Sequence, residues 1–256
     1  MKKLLFTLAF AMCVSSAAFA QFSNGGKTAS NSFFSTEKPE KPWSYGVRAG
    51  LNLSSASISI LGANTDDFYT DDGLKSKVGF NVGLNVEYSI FKSLSIKSGI
   101  YLTSKGAKYE NEDTESETSY YELTNVEKQE GTANEYYIQI PILASYKYYI
   151  KDNLNLEFNF GPYLAYGIAG KSHGTVYRNG IDVTSQYYEK PGEDTFGKGG
   201  LKRFDSGLII GVGITHNKYY AGVQYDLGMT NLVPSRYSSV CSGKNRNFSV
   251  NIGYNF

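Results

Sequence analysis

From Trp43 onward the sequence alternates with a period of two, a large apolar side chain following each small or polar one. In VGFNVGLNVEYSI, Val78, Phe80, Val82, Leu84, Val86, Tyr88 and Ile90 share one face. Gly79, Asn81, Gly83, Asn85, Glu87 and Ser89 share the other. Successive side chains of a strand point to opposite faces, whereas a helix repeats every 3.6 residues, so this pattern predicts strands. LNLEFNF, YYAGVQYDLGMT and the final NFSVNIGYNF repeat it. Eight such runs are predicted, at about 44–58, 77–90, 94–109, 135–150, 154–171, 205–216, 219–232 and 247–256. Most exceed the ~9–11 residues that a tilted strand needs to cross a hydrocarbon layer.

The connections alternate in length. Phe91-Lys92-Ser93, Lys151-Asp152-Asn153 and Asn217-Lys218 are tight turns, whereas the segments near 59–76, 110–134, 172–204 and 233–246 are long and polar. Short turns at one end and long loops at the other predict an all-β fold, an eight-stranded antiparallel up-and-down transmembrane β-barrel. An even strand count places both termini at the short-turn end, which is periplasmic in such barrels.

A soluble sandwich or lipocalin-like barrel also alternates, so the choice rests on which face is inside. The face opposite the apolar one carries many glycines, among them Gly46, Gly50, Gly83, Gly99, Gly161, Gly213, Gly222 and Gly253. Glycine weakens a strand and has no use on a solvated surface. A narrow eight-stranded lumen has room for only a modest volume of side chains and does need it. The apolar face is therefore expected outside, against lipid.

The inward face also carries charge: Arg48, Glu87, Lys97, Lys147, Glu157 and Asp226, three of each sign. Counting outward from the tight turns puts Glu87 opposite Lys97, and Lys147 opposite Glu157. Opposite-charge cross-strand pairs of this kind contribute up to ~1 kcal/mol when solvated. Trp43, Tyr45, Tyr88, Phe91, Tyr148, Tyr149, Tyr219, Tyr220, Tyr254 and Phe256 mark the short-turn ends. They predict an interfacial aromatic girdle.

The chain opens MKKLLFTLAFAMCVSSAAFA, with a positive start, an apolar run too short to span a bilayer and a small-residue site at Ala20. The expectation is a signal peptide over residues 1–20 with Gln21 as the mature start. A flexible periplasmic leader over 21–42 and the barrel domain over 43–256 would follow. Met12 before Cys13 fits a lipoprotein signal poorly. Cys241 is then the one remaining cysteine, so no disulfide framework exists. The 25 basic and 24 acidic residues argue against an electrostatic nucleic-acid binder.

SYGVRAGLNLS, YYIQIPILASYKYY, LNLEFNFGPYLAYGIAGK, FDSGLIIGVGI, YAGVQYDLGMTNL and KNRNFSVNIGYNF resemble successive strands of PorT-like outer-membrane β-barrel (porin family) proteins. IQIPIL, GPYLAY and YDLGMTNL are the most specific pieces, and the resemblance covers about residues 43–256. It implies an eight-stranded barrel in the outer membrane of a Gram-negative cell. One type of member is linked to protein secretion, a role that no residue here encodes. Proteins of this kind are delivered to an outer-membrane assembly machine that reads a C-terminal strand with a final aromatic. That implies an assembly signal in Phe248, Val250, Ile252, Tyr254 and Phe256.

Chemistry is sparse. His216 precedes a tight turn, and His173 begins the longest loop beside Ser172 and Lys171. A hydrolase would need a serine, a histidine and a carboxylate brought together, and the sequence places no such set. No Cys/His cluster offers a zinc site, and GLIIGVG lacks the Lys-Ser/Thr of a phosphate loop. ENEDTESETSYYELTNVEKQE reads as a solvated acidic loop or a weak divalent-cation contact, and GKGGLKR as a contact for lipid phosphates. Neither a cofactor nor an enzyme activity is expected, and the expected state is a monomer contacting outer-membrane lipid and lipopolysaccharide. The readings are a structural or interaction barrel with a side-chain-filled lumen, a small pore, and a membrane hydrolase.

Overall fold

The computed structural model describes residues 35–60, 74–117, 123–187 and 192–256. The expected cleavage site at Ala20 and Gln21 lies outside them. Eight long strands form the wall: β1 (Trp43–Ile60), β2 (Leu74–Phe91), β3 (Leu94–Glu117), β4 (Leu123–Lys151), β5 (Leu154–Arg178), β8 (Phe204–His216), β9 (Tyr219–Gly228) and β10 (Cys241–Asn255). Between β5 and β8 come two short strands, β6 (Ile181–Asp182) and β7 (Gly192–Asp194), and a single helical turn, α1 (Thr184–Tyr187).

Each long strand pairs antiparallel with its neighbour in sequence, and β10 pairs with β1, Val250 opposite Leu51. The sheet therefore closes on itself and leaves no edge in the wall. The ladder can be followed right round: Tyr88 pairs with Ile96, then Ala144, Phe160, Ile210, Tyr225, Phe248, Leu53 and finally Val78. Starting at Tyr88 and returning at Val78 is a stagger of ten residues along β2. Closure with such a stagger tilts the strands by about 35–45° to the barrel axis.

The two faces are inverted relative to a soluble protein. Leu51, Val78, Leu84, Ile100, Phe160 and Ile252 are exposed on the outside, Leu51 at 67%, whereas Asn52, Lys105, Ser145 and Asp205 are fully buried inside. Water would penalise such an outer surface, and no globular monomer tolerates an apolar belt of this extent. Lipid makes the same arrangement favourable.

Glycines make the room that the bulky inward residues occupy. A methyl at Gly213 would come 2.4 Å from the Tyr220 ring, one at Gly83 2.6 Å from Tyr101, and one at Gly253 2.4 Å from Arg48 Cδ. Tyr220 consequently lies inside, with the Arg48 guanidinium 4.2 Å from its ring centroid, and does not join the girdle expected of it. The rest of the short-turn rim does carry exposed rings. Trp43 packs on Tyr88 at 4.8 Å, and Tyr254 touches both Tyr219 and Phe256 at 5.5 Å.

The strands reach further than their alternation does. β3 and β4 continue to Glu117 and Leu123, through residues expected to form a loop, and β5 runs to an Asn179-Gly180 turn. Both turn residues have positive φ, 51° and 79°, as a tight two-residue hairpin requires. Backbone pairing thus persists here while the sequence loses its period of two. At the same end β9 stops at Gly228, short of the expected residue 232. Within the expected leader, residues 35–42 are hydrogen-bonded to the first tight turn. Ser35 N donates to Ser93 Oγ, Lys92 N to Glu37 O, and Ser89 N to Pro42 O.

Candidate functional site

The lumen is filled by two polar clusters with a small chamber between them. The first lies near the short turns. The tight turn after Phe91 sets Glu87 opposite Lys97, and the turn after Lys151 sets Lys147 opposite Glu157. The ammonium groups, however, do not follow the ladder. Lys147 reaches Glu87, while Lys97 contacts Glu157 closely and Glu87 at 3.6 Å. Thr215 Oγ1 donates to the other oxygen of Glu157 at 2.7 Å. In so narrow a barrel, side chains two strands apart converge on the axis. The result is a chain of alternating charge: Lys147, Glu87, Lys97, Glu157. Glu87, Lys97 and Glu157 are each more than nine-tenths buried.

Arg48 and Asp226, the other two inward charges read from the sequence, are held differently. Arg48 donates to Asn255 Oδ1 at 2.8 Å and to Val47 O at 3.1 Å, with its face on Tyr220. Asp226 accepts from Gln224 at 2.6 Å, Gln139 at 3.2 Å and Asn247 at 3.3 Å.

The second cluster lies toward the long loops and contains residues that sequence reasoning passed over. Lys105 is fully buried, 3.5 Å from Asp205 and 4.5 Å from the Tyr163 ring centroid. Tyr163 Oη donates to Asp205 at 3.1 Å and Tyr137 Oη to Glu135 at 2.8 Å. Asn245 Nδ2 spans Glu135 and Asp205 at 3.2 and 3.4 Å. Parity could have found them, since Lys105 follows Lys97 by an even step, as Lys147 follows Glu135. Above this layer the β7–β8 connection drops Phe196 onto Tyr137, edge to face at 5.5 Å. Phe196 is almost wholly buried and packs with Leu201 over Tyr163, Ala165 and Ile209.

The chamber between the clusters has a volume of about 70 Å³ and mixed walls, with Arg48, Asn85, Gln139 and Asp226 beside Leu143 and Tyr220. A space of that size holds a few waters, each of which needs ≳ 10–15 Å³.

Outside the wall, the β3–β4 hairpin carries a solvated ion network. Glu110 and Glu130 lie directly opposite each other, and Lys128 bridges them at 3.1 and 2.7 Å while Lys75 also contacts Glu110. Hydrogen bonds from Lys75 and then Lys128 hold the Glu110 carboxyl below its usual range. Exposed pairs of this kind add little stability. They offset the repulsion that two facing glutamates would otherwise produce.

Among the described residues the histidines are given no serine and carboxylate partners. His173 lies on β5 beside Gly192 of β7, and the neighbouring Ser172 hydroxyl is engaged with Thr195 Oγ1 at 3.0 Å. His216 Nε2 lies 3.3 Å from the Asn153 amide in the adjoining tight turn. Among the described residues no group of three or more His, Cys, Asp and Glu is placed to hold a metal.

Solved structures with similar folds include Ail, the attachment invasion locus protein of Yersinia pestis. It shares 15% identity with this chain, covering 84% of this chain and 100% of Ail, at a TM-score of 0.36. OprG of Pseudomonas aeruginosa is similar at 12% identity, 87% and 99% coverage and a TM-score of 0.40. Neisserial surface protein A is similar at 13%, 83% and 97%, with a TM-score of 0.32. No curated protein matches the chain. The family model described as "Outer membrane protein beta-barrel domain" matches residues 19–233, most of the chain, and this protein belongs to that family of integral outer-membrane barrels.

Proposed function

We propose that this barrel is a closed outer-membrane scaffold whose work is done by the segments outside the membrane. Conduction through its centre is not part of that role. The observation that carries this reading is the filled lumen. The Lys105–Asp205–Glu135 layer, Phe196 above it and the four-residue charge chain below it occupy the bore. Among the described residues no serine–histidine–carboxylate set is assembled, and the role we assign is structural or interactive. The tall β3–β4 hairpin and the β5–β8 connection form the outward surface, and both termini lie on the periplasmic side.

In planar bilayers the purified protein is expected to give a flat baseline at moderate voltage. Regular stepwise openings in the wild-type protein would replace this reading with the small pore.

The partners in this reading are outer-membrane lipid, lipopolysaccharide and the assembly machinery, with the protein acting as a monomer. IQIPIL, GPYLAY and YDLGMTNL support a place in the PorT-like branch of the family. Phe256 is exposed beside Tyr254, and its amide donates to Tyr45 O at 2.8 Å. It thus ends the closing strand as an anchor and, in our reading, also as an address. Deleting Phe256 should slow insertion in cells severalfold while the purified folded barrel keeps most of its stability, losing about 1 kcal/mol for one backbone hydrogen bond. Pulse-chase measurement of heat-modifiable folded protein checks this, and unchanged insertion removes the address.

A further inference from the structure

We propose that the long-loop rim over β8, β9 and β10 docks the phosphate headgroup of an outer-leaflet lipid. Its cationic contacts are Lys244 and Arg246 on the wall, with Lys202 and Arg236 from the loops. Along the outward face of β10 the side chains run Ile252, Val250, Phe248, Arg246 and Lys244, so apolar gives way to basic within one even step. Arg246 lies opposite Leu227 of β9, and Leu227, Met229 and Phe204 are exposed on the same side of the wall. For a lipid lying against the wall, that step marks where acyl chain ends and headgroup begins. Two loops bring the other cations to the same place. Lys202 N donates to Leu232 O at 2.8 Å and Leu232 N to Gly243 O at 2.9 Å, which laces both loops to β10 beside Lys244. Arg236 Nη2 donates to Gly199 O at 3.3 Å. Arg246 Nη1 donates to Gly228 O at 2.6 Å and to Asn245 O at 2.9 Å, and so holds its guanidinium against the wall.

Charge singles out this sector of the rim. From Thr195 to Phe256 the only acidic residues are Asp205 and Asp226, and both are buried in the lumen, at 0% and 2% exposure. Among the described residues, Lys202, Arg236, Lys244 and Arg246 have no carboxylate within ion-pair distance. Across the barrel the outer cations are matched instead: Lys75 and Lys128 contact Glu110, and Arg178 contacts Glu127. Cations gathered without a counter-charge repel one another. A phosphate relieves that repulsion and accepts the charge-assisted hydrogen bonds that guanidinium and ammonium groups donate. The apolar side chains directly below decide for a lipid over a soluble anion, because one amphiphile satisfies both surfaces. This inference rests on the reading of the protein as an outer-membrane barrel with its long loops outward, and names where the lipid is held.

The test offers diphosphoryl lipid A to the purified folded protein in detergent micelles and counts bound lipid by native mass spectrometry, beside the same lipid after phosphatase treatment. The wild-type protein should retain the phosphorylated lipid and release the dephosphorylated one. Each cation near an anionic lipid surface contributes about fivefold in affinity, so Lys202→Gln with Lys244→Gln should weaken retention about twenty-five-fold. Lys75→Gln with Lys128→Gln, in the matched sector, should leave it unchanged. If the first double variant does not fold, the phosphatase comparison on the wild-type protein decides the matter. Equal retention of both lipids, equal loss in the two double variants, or full displacement of the lipid by an equal concentration of inorganic phosphate overturns the proposal. Failure of the closed-scaffold reading would register separately, as stepwise openings in planar bilayers, whatever lipid is retained.

Discussion

Replacing Lys97 by leucine should destabilise the folded barrel by about 3–5 kcal/mol, the cost of stranding a buried charge by removing its partner. Lys97 contacts Glu157 and Glu87 from inside the bore, and both carboxylates are almost wholly buried. Leucine matches the stem of lysine in volume, so the loss reports charge and not a cavity. Pairing Lys97→Leu with Glu157→Gln should recover much of that loss, because residues in one network do not act additively. Urea titration of the barrel in lipid vesicles gives all the terms of this cycle. Strict additivity would mean that the two groups do not interact.

An outward substitution tests the opposite surface. Val250 lies midway along β10 between Phe248 and Ile252, is exposed to the surroundings of the barrel, and sits opposite Leu51 and Val223. Val250→Arg should cost about 2–4 kcal/mol, the range for a basic side chain at the middle of the bilayer. The same change at Tyr219, an exposed ring at the short-turn rim, should cost about 0–1 kcal/mol, since the penalty falls toward the interface. Equal costs at the two positions would mean that no apolar layer surrounds the wall.

Much of this architecture was legible in the sequence because lipid and lumen impose opposite demands on alternate residues. Parity assigned the apolar face of β2, β9 and β10 to the outside, and the tight turns fixed the register that sets Glu87 opposite Lys97. Two kinds of feature escaped. One was the upper half of β3 and β4, where 110–117 pair with 123–130 although the sequence there has no greasy face. The other was contact across the bore. Counting along a hairpin finds nearest neighbours, whereas Lys147 reaches Glu87 and Lys97 reaches Glu157 over an intervening strand. Phe196 was hidden for a related reason. A single aromatic in a polar loop has no periodicity, and only the closed wall provides Tyr137 for it to pack against. Tyr220 shows the limit of composition: a tyrosine beside a turn suits a girdle, yet its parity and the glycines at 213 and 222 place it inside.

The account turns on which face of the strands meets lipid, and β10 offers the most direct measurement. In a Cys241→Ser background, single cysteines at positions 247 to 252 can carry spin labels in reconstituted bilayers, with collision rates read against oxygen and a water-soluble nickel chelate. Labels at 248, 250 and 252 should collide often with oxygen and seldom with nickel, and those at 247, 249 and 251 seldom with either. Lipid contact at the odd positions, or free nickel access to them, would contradict a packed lumen behind a lipid-facing apolar wall.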